Sequence, residues 1–188
     1  MVPVMSLIVP ILVASVIVFV ASSVIHMFTP FHKGDLKRVP KEDEVMGALR
    51  PFNLAPGDYA VPLPSSMAAM GSPEFKAKMD AGPVVLMTVR PTGAHKHNMT
   101  TNLAQWFVYS IGVSVLAGYI AGVAFGPGAE YPRVFQVAGC VAFTGYSMAL
   151  MQASIWGGKN WGTTLRGMAD GLLYGLLTGG TFGWLWPN

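Results

Sequence analysis

The sequence predicts an all-α membrane bundle of four transmembrane helices with a small α+β cytoplasmic insertion between the first and second helices. Three observations carry this expectation. Charged residues make up only 11% of the 188 residues and hydrophobic ones 52%, whereas a soluble domain averages about a quarter charged. Long uncharged runs recur at Val2–Phe31, Leu103–Phe125 and Val134–Trp156, each sufficient for the roughly 20 residues that cross a hydrocarbon core of about 30 Å. The closing run, GMADGLLYGLLTGGTFGWLW, puts glycine at Gly167, Gly171, Gly175, Gly179 and Gly183. In a water-exposed helix each glycine costs about 1 kcal/mol relative to alanine. In lipid the backbone must satisfy its own hydrogen bonds, and a small-xxx-small stripe lets a second helix come close.

Residues 1–30 form the first predicted span. Val4 to Ile25 is long enough to cross, and neither a basic leader nor a short apolar core marks it as a cleaved signal, so it reads as an uncleaved anchor. Residues 31–98 change character, holding nine of the twelve Lys and Arg and seven of the nine acids. Within them Lys41–Leu49 reads as a helix opened by Pro40 and acids and stopped by Pro51. Asp58–Leu63 and Pro83–Val89 read as strands, with a helix between them that Ser72 caps and Gly82 stops.

Residues 99–188 hold the remaining spans. The second, Leu103–Phe125, has small residues at Ser110, Ser114, Gly118, Gly122 and Gly126, and the third, Val134–Trp156, repeats the spacing at Gly145, Ala149, Ala153 and Gly157. GPGAEYPR turns the chain between them, and the loop Gly157–Arg166 leads into the glycine helix, whose Gly171, Gly175 and Gly179 form a groove for another helix, either the second span at Gly118 and Gly122 or a helix of another subunit. Four spans put both termini on one side. Lys33, Lys37, Arg38, Lys41, Arg90, Lys96, Lys159 and Arg166 flank the spans on the other side, against Arg133 alone. By the positive-inside rule the insertion is cytoplasmic and both termini are periplasmic, with Trp106, Trp156 and Trp161 at the inner interface and Trp184 and Trp186 at the outer one.

Chemistry-bearing residues are few. A lone Cys140 excludes an internal disulfide and dithiol chemistry. No span carries a mid-membrane His for haem, and no H-E-x-x-H, G-x-S-x-G or Walker motif occurs, so the chain reads as no enzyme. The net charge of +3 lies in segments flanking the spans and makes no argument for nucleic acid. His26, His32, His95 and His97 gather near the inner interface, where imidazoles form a metal site if enough of them converge, although no acid stands at a ligand spacing beside them. Asp170 is the only acid within a span, a proton-relay or cation-ligand position by type, with Arg166 one helical turn away as its expected partner.

The strings ASSVIHM (Ala21–Met27), RPFNLAPGDY, SPEF, GPVVLMTV and DGLLYGLLTGGTFGWLWP together resemble an uncharacterised family of small bacterial four-span inner-membrane proteins. The resemblance implies a bacterial inner-membrane location and supplies no activity, cofactor or site. Taken together, the sequence reads first as a non-catalytic accessory subunit of a larger energy-transducing membrane complex, respiratory or photosynthetic. Its partners would be lipid and other transmembrane subunits, with no intrinsic cofactor and lipid or pigment touched only through that complex. The alternatives are a small transporter or proton or cation conductor using Asp170, and a metal-binding membrane protein using the histidines.

Overall fold

A 25-residue helical segment, Val4–Phe28, opens the chain; its first turn is a tight 3-10 turn (Val4–Leu7) and the remainder is α1 (Ile8–Phe28). The computed structural model describes residues 1–93 and 98–188. It divides into two units, one formed by Met1–Lys37 with Met99–Asn188 and the other by Arg38–Asn98. The stretch 31–37, expected in the insertion, therefore belongs with the helices, because His32 and Asp35 are bonded to the last helix.

The second unit follows the sequence closely. It contains α2 (Glu42–Leu49), β1 (Gly57–Val61), α3 (Pro73–Ala81) and β2 (Val85–Val89). The strands pair antiparallel from Gly57 opposite Val89 to Val61 opposite Val85. Three acids occupy the first turn of α2, where the helix dipole favours them. The Ser72 hydroxyl caps α3 by accepting from the Phe75 amide at 3.1 Å. Gly82, at φ 56°, ends α3 in a conformation that side chains resist.

In the first unit, α4 (Met99–Ala124) is followed by α5 (Tyr131–Phe143), a π-helical turn (Thr144–Met148), α6 (Leu150–Gly157) and α7 (Trp161–Trp184). Among the described residues three helices are long and apolar enough to cross a membrane: Val4–Phe28, Met99–Ala124 and Tyr131–Gly157, the last running through the π turn. α7 has the length, 24 residues, about 36 Å, but its glycines, threonines and Asp170 keep it below that apolarity. It also starts earlier than the sequence suggests: Trp161–Arg166, expected in a loop, is its first turn and a half, capped by the Asn160 side chain on the Gly162 amide.

Contacts along the helices run antiparallel from each to the next. Ser15 meets Ser114 while Val2 bonds Gly122, so α1 and α4 are antiparallel. On α7, Gly167 faces Leu150, Gly171 faces Ser147, Gly175 faces Gly139 and Phe143, Gly179 faces Phe135 and Gly139, and Gly183 faces Tyr131. All five stripe glycines thus turn to the third long helix. The expected partner within this chain was α4, and this is a correction: Gly118 and Gly122 are filled instead by Phe182, Leu7 and the backbone of Val2. The reason is Gly139, which gives α5 a bare backbone where Gly175 and Gly179 approach. A Cβ on Gly179 would lie 2.6 Å from the Phe135 carbonyl oxygen, and one on Gly175 3.0 Å from that of Gly139.

The π turn reshapes the other expected stripe. It inserts an extra residue into the helical stagger, so Gly145 packs against Val113 whereas Ala149 is exposed and Gly157 has nothing near it. Tyr146 and Ser147 become the buried residues of this stretch. Trp106 and Trp186 also differ from the aromatic-belt expectation. Trp186 is buried in the apolar cluster with Leu7, Ile11 and Phe182 and donates to the Gly126 carbonyl at 3.0 Å, and Trp106 lies inside the other cluster beside Tyr146 and Tyr174.

Replacing Gly179 by Leu is expected to cost at least about 3 kcal/mol, the upper range of overpacking, because backbone rather than a mobile side chain blocks the new atoms. Leu at Gly112, which has open space around it, is expected to be neutral. Thermal unfolding in mild detergent checks both, and equal melting of the two variants would contradict the packing described.

Candidate metal centre

The end of α1 and the beginning of α7 are built from residues that bring four ionisable side chains together. α1 stops at Phe28, where Thr29 turns extended and folds its hydroxyl back on the Ile25 carbonyl at 2.6 Å. The chain then reverses through Pro30 and Phe31, and His32 returns to stack on His26, their ring centroids 4.4 Å apart and nearly parallel at 10°. On α7, Asp170 lies one turn beyond Arg166 and is buried.

The two histidines are each held by one ring nitrogen. His26 Nδ1 lies 3.0 Å from the Ser22 carbonyl oxygen. That oxygen only accepts, so Nδ1 carries a proton, and in the neutral ring the lone pair is on Nε2. His32 Nδ1 donates likewise to Asp35 Oδ2 at 2.7 Å. Both free Nε2 atoms look at one carboxylate oxygen, Asp170 Oδ2, at 2.8 Å from His32 and 3.9 Å from His26. Among the described residues His32 Nε2 is buried and makes no aligned hydrogen bond despite that proximity, so with neutral rings three ligand atoms would face one another. The three donor atoms lie within 4.8 Å of one another.

Arg166 does not pair with Asp170 as the sequence suggested. Its Nε donates to Asp35 Oδ1 at 2.7 Å and its Nη2 reaches the same oxygen at 2.5 Å. An i,i+4 pair along α7 gives way to a tertiary one, because Asp35 offers a second carboxylate that Arg166 can grip while Asp170 turns inward to His32. One guanidinium thus faces two carboxylates, with two imidazoles beside them, and a bound cation or a ring proton would balance the second carboxylate. The hydrogen bond from His32 and the guanidinium of Arg166, against the opposing pull of burial, hold Asp35 below the ordinary aspartate value of 3.8.

The site thus unites His26 and His32 with Asp170, which the sequence offered as separate candidates. His95 and His97 lie outside the described residues. Asp35 was missed altogether; its only signal was being the first acid after the first span. The arrangement brings together three side chains that could hold a metal ion, with a hydrogen-bond acceptor behind each imidazole. Metal-bound imidazoles almost always donate their other N–H to a carbonyl or carboxylate, which fixes the tautomer, and both histidines already do so.

Asp35 contributes stability that is complete above its unfolded value near 3.8 and is lost as pH falls through its lowered folded value. Asp35→Asn is therefore expected to melt lower than the wild type at pH 7 and to lose less on acidification to about pH 3. Parallel melting-temperature profiles for the two proteins would contradict this. Comparison of the chain with family models, with curated proteins and with solved structures found no match.

Proposed function

We propose that the protein is a four-span membrane protein that binds one divalent transition-metal ion through His26 Nε2, His32 Nε2 and Asp170 Oδ2. The observation that carries this is the pair of lone-pair nitrogens, each tautomer fixed from behind, converging with a buried carboxylate. Two imidazoles and a carboxylate suit zinc or iron(II) and leave further positions open. No reaction is assigned to the site.

α7 is read as the fourth span. Its length, its antiparallel seam with the third long helix and the shared end of the bundle at Val2, Gly122, Gly128 and Pro187 support that reading. The basic residues flanking the spans favour periplasmic termini and a cytoplasmic insertion, and the resemblance to bacterial inner-membrane proteins favours that membrane.

The other readings have less behind them. An accessory role rested on surplus close-packing faces, but the α7 glycines are occupied by this chain's own α5, π turn and α6. Conduction through Asp170 needs a polar path across the bundle. Buried hydroxyls do continue from the site through Ser22, Ser110 and the Ser15–Ser114 pair, but Ile11, Leu7, Ala117, Ala121 and Phe182 close the far end.

The purified protein is expected to take up one zinc or cobalt(II) ion per chain. His32→Ala and Asp170→Ala should each weaken uptake at least tenfold, while Asp58→Ala on the separate unit leaves it unchanged. Equal uptake by all four proteins would overturn the metal reading. Independently, reporter fusions at Asn188 are expected to read periplasmic and those near Ala68 cytoplasmic; a cytoplasmic Asn188 would remove α7 from the spans.

A further inference from the structure

At the proposed metal centre the long helices of the first unit frame a half-open chamber of about 640 Å³. Ser22 and His26 of α1, Leu103 and Trp106 of α4, Tyr146 of the π turn and Tyr174 of α7 are among its walls. Its volume falls in the range of small-molecule sites, and such sites are characteristically apolar with a few polar groups that fix orientation.

Beside Ser22, Ser23, Asn102 and Asp170, the chamber is lined by three donors left without acceptors. Trp106 Nε1, the Tyr146 hydroxyl and the Tyr174 hydroxyl are buried and, among the described residues, make no well-aligned hydrogen bond. The two hydroxyls lie beside Ser110 and Ser22. Each buried donor left unpaired costs on the order of 1–3 kcal/mol, so three together on one chamber wall are a standing demand for acceptor atoms. The same three rings pack on one another at centroid distances of 5.4–6.0 Å, which makes that wall aromatic. Aromatic faces favour a flat ring in offset or edge contact. The remaining walls, Met27, Leu103 and Leu150 among them, suit an alkyl tail.

We infer that this chamber binds a lipophilic quinone-like molecule, a flat ring bearing carbonyl acceptors with an apolar tail, oriented by Trp106, Tyr146 and Tyr174. The inference goes beyond the metal reading and does not rest on it: His26 and Asp170 line the chamber too, but the three donors are not ligands of the ion. Carbonyl oxygens accept from the unpaired N–H and O–H groups, the ring lies against the aromatic wall, and the tail follows the apolar side of the chamber. Binding alone is proposed, with no electron or proton transfer.

The test uses the full-length protein in lipid nanodiscs, both metal-free and zinc-loaded. The probe is a decyl-substituted benzoquinone, quantified per disc after gel filtration, with empty discs correcting for partition into lipid and decylbenzene as the carbonyl-free control. Saturable binding of one quinone per chain is expected, with decylbenzene failing to compete. Tyr146→Phe and Tyr174→Phe should each weaken binding about two- to tenfold, the worth of one hydrogen bond. The unliganded variants should melt no lower than the wild type, since each loses only an unpaired hydroxyl. Leu103→Trp, filling the chamber from its partly exposed wall, should abolish quinone binding while leaving zinc uptake intact. Decylbenzene competing as well as the quinone, unchanged affinity in both Phe variants, or full binding by Leu103→Trp would each overturn the inference. Loss of zinc uptake with quinone binding retained would overturn the metal reading alone.

Discussion

The structure depends on a backbone-to-backbone approach between α5 and α7. Gly139 meets Gly175 and Gly179 so closely that an added Cβ on either side would press on main-chain atoms. Lipid tails are as apolar as leucine, so in a bilayer such close packing, rather than the hydrophobic effect, holds helices together. The seam sets the axial position of α7, and Asp170 lies one residue before Gly171, whose neighbour across the seam is Ser147. Fixing that register fixes the depth at which the carboxylate meets the end of α1. Glycine, a poor helix former in water, is here the residue that places the chemistry.

The charged network is the second consequence. Arg166, Asp35, His32, Asp170 and His26 follow one another through contacts of 3.9 Å or less, apart from the stacking that joins the two rings. Each member adjoins the next: Arg166 holds Asp35, Asp35 accepts from His32 Nδ1, and His32 Nε2 lies 2.8 Å from Asp170. A group buried with unmatched negative charge is costly unless a cation or proton completes it. The proposed ion supplies that completion, and it explains why Arg166 is spent on Asp35 and not on the neighbour that helix geometry offers.

Much of the architecture was legible in the sequence, because it follows from local rules. Uncharged runs marked three of the long helices. Ser72 and Gly82 marked the ends of α3, and the acids after Lys41 marked the start of α2. Side-chain periodicity along α4 named Ser110, Ser114, Gly118 and Gly122, all of which are buried. What was not legible is non-local. Nothing in the spacing of Asp170 points to His32, which lies far away in the chain, and Arg166 one turn away was the natural but mistaken partner. The π turn at Thr144–Met148 cannot be read from a regular four-residue stride, so the stripe through Gly145 and Ala149 failed there and Tyr146 went unnoticed. Gly139 escaped because it stands alone on its helix and not in a series.

The central claim is that α1 and α7 meet through His32, with Asp35 on one ring nitrogen and Asp170 on the other. Solid-state NMR on the bilayer-reconstituted protein, with nitrogen-15 in the histidine rings and carbon-13 in the aspartate carboxyls, tests it most directly. The account predicts one histidine whose two ring nitrogens are both strongly dipole-coupled to carboxyl carbons, the Nε2 coupling vanishing in Asp170→Asn and the Nδ1 coupling in Asp35→Asn. A spectrum in which no histidine couples to two carboxyls, or in which Asp170→Asn changes nothing, would contradict it.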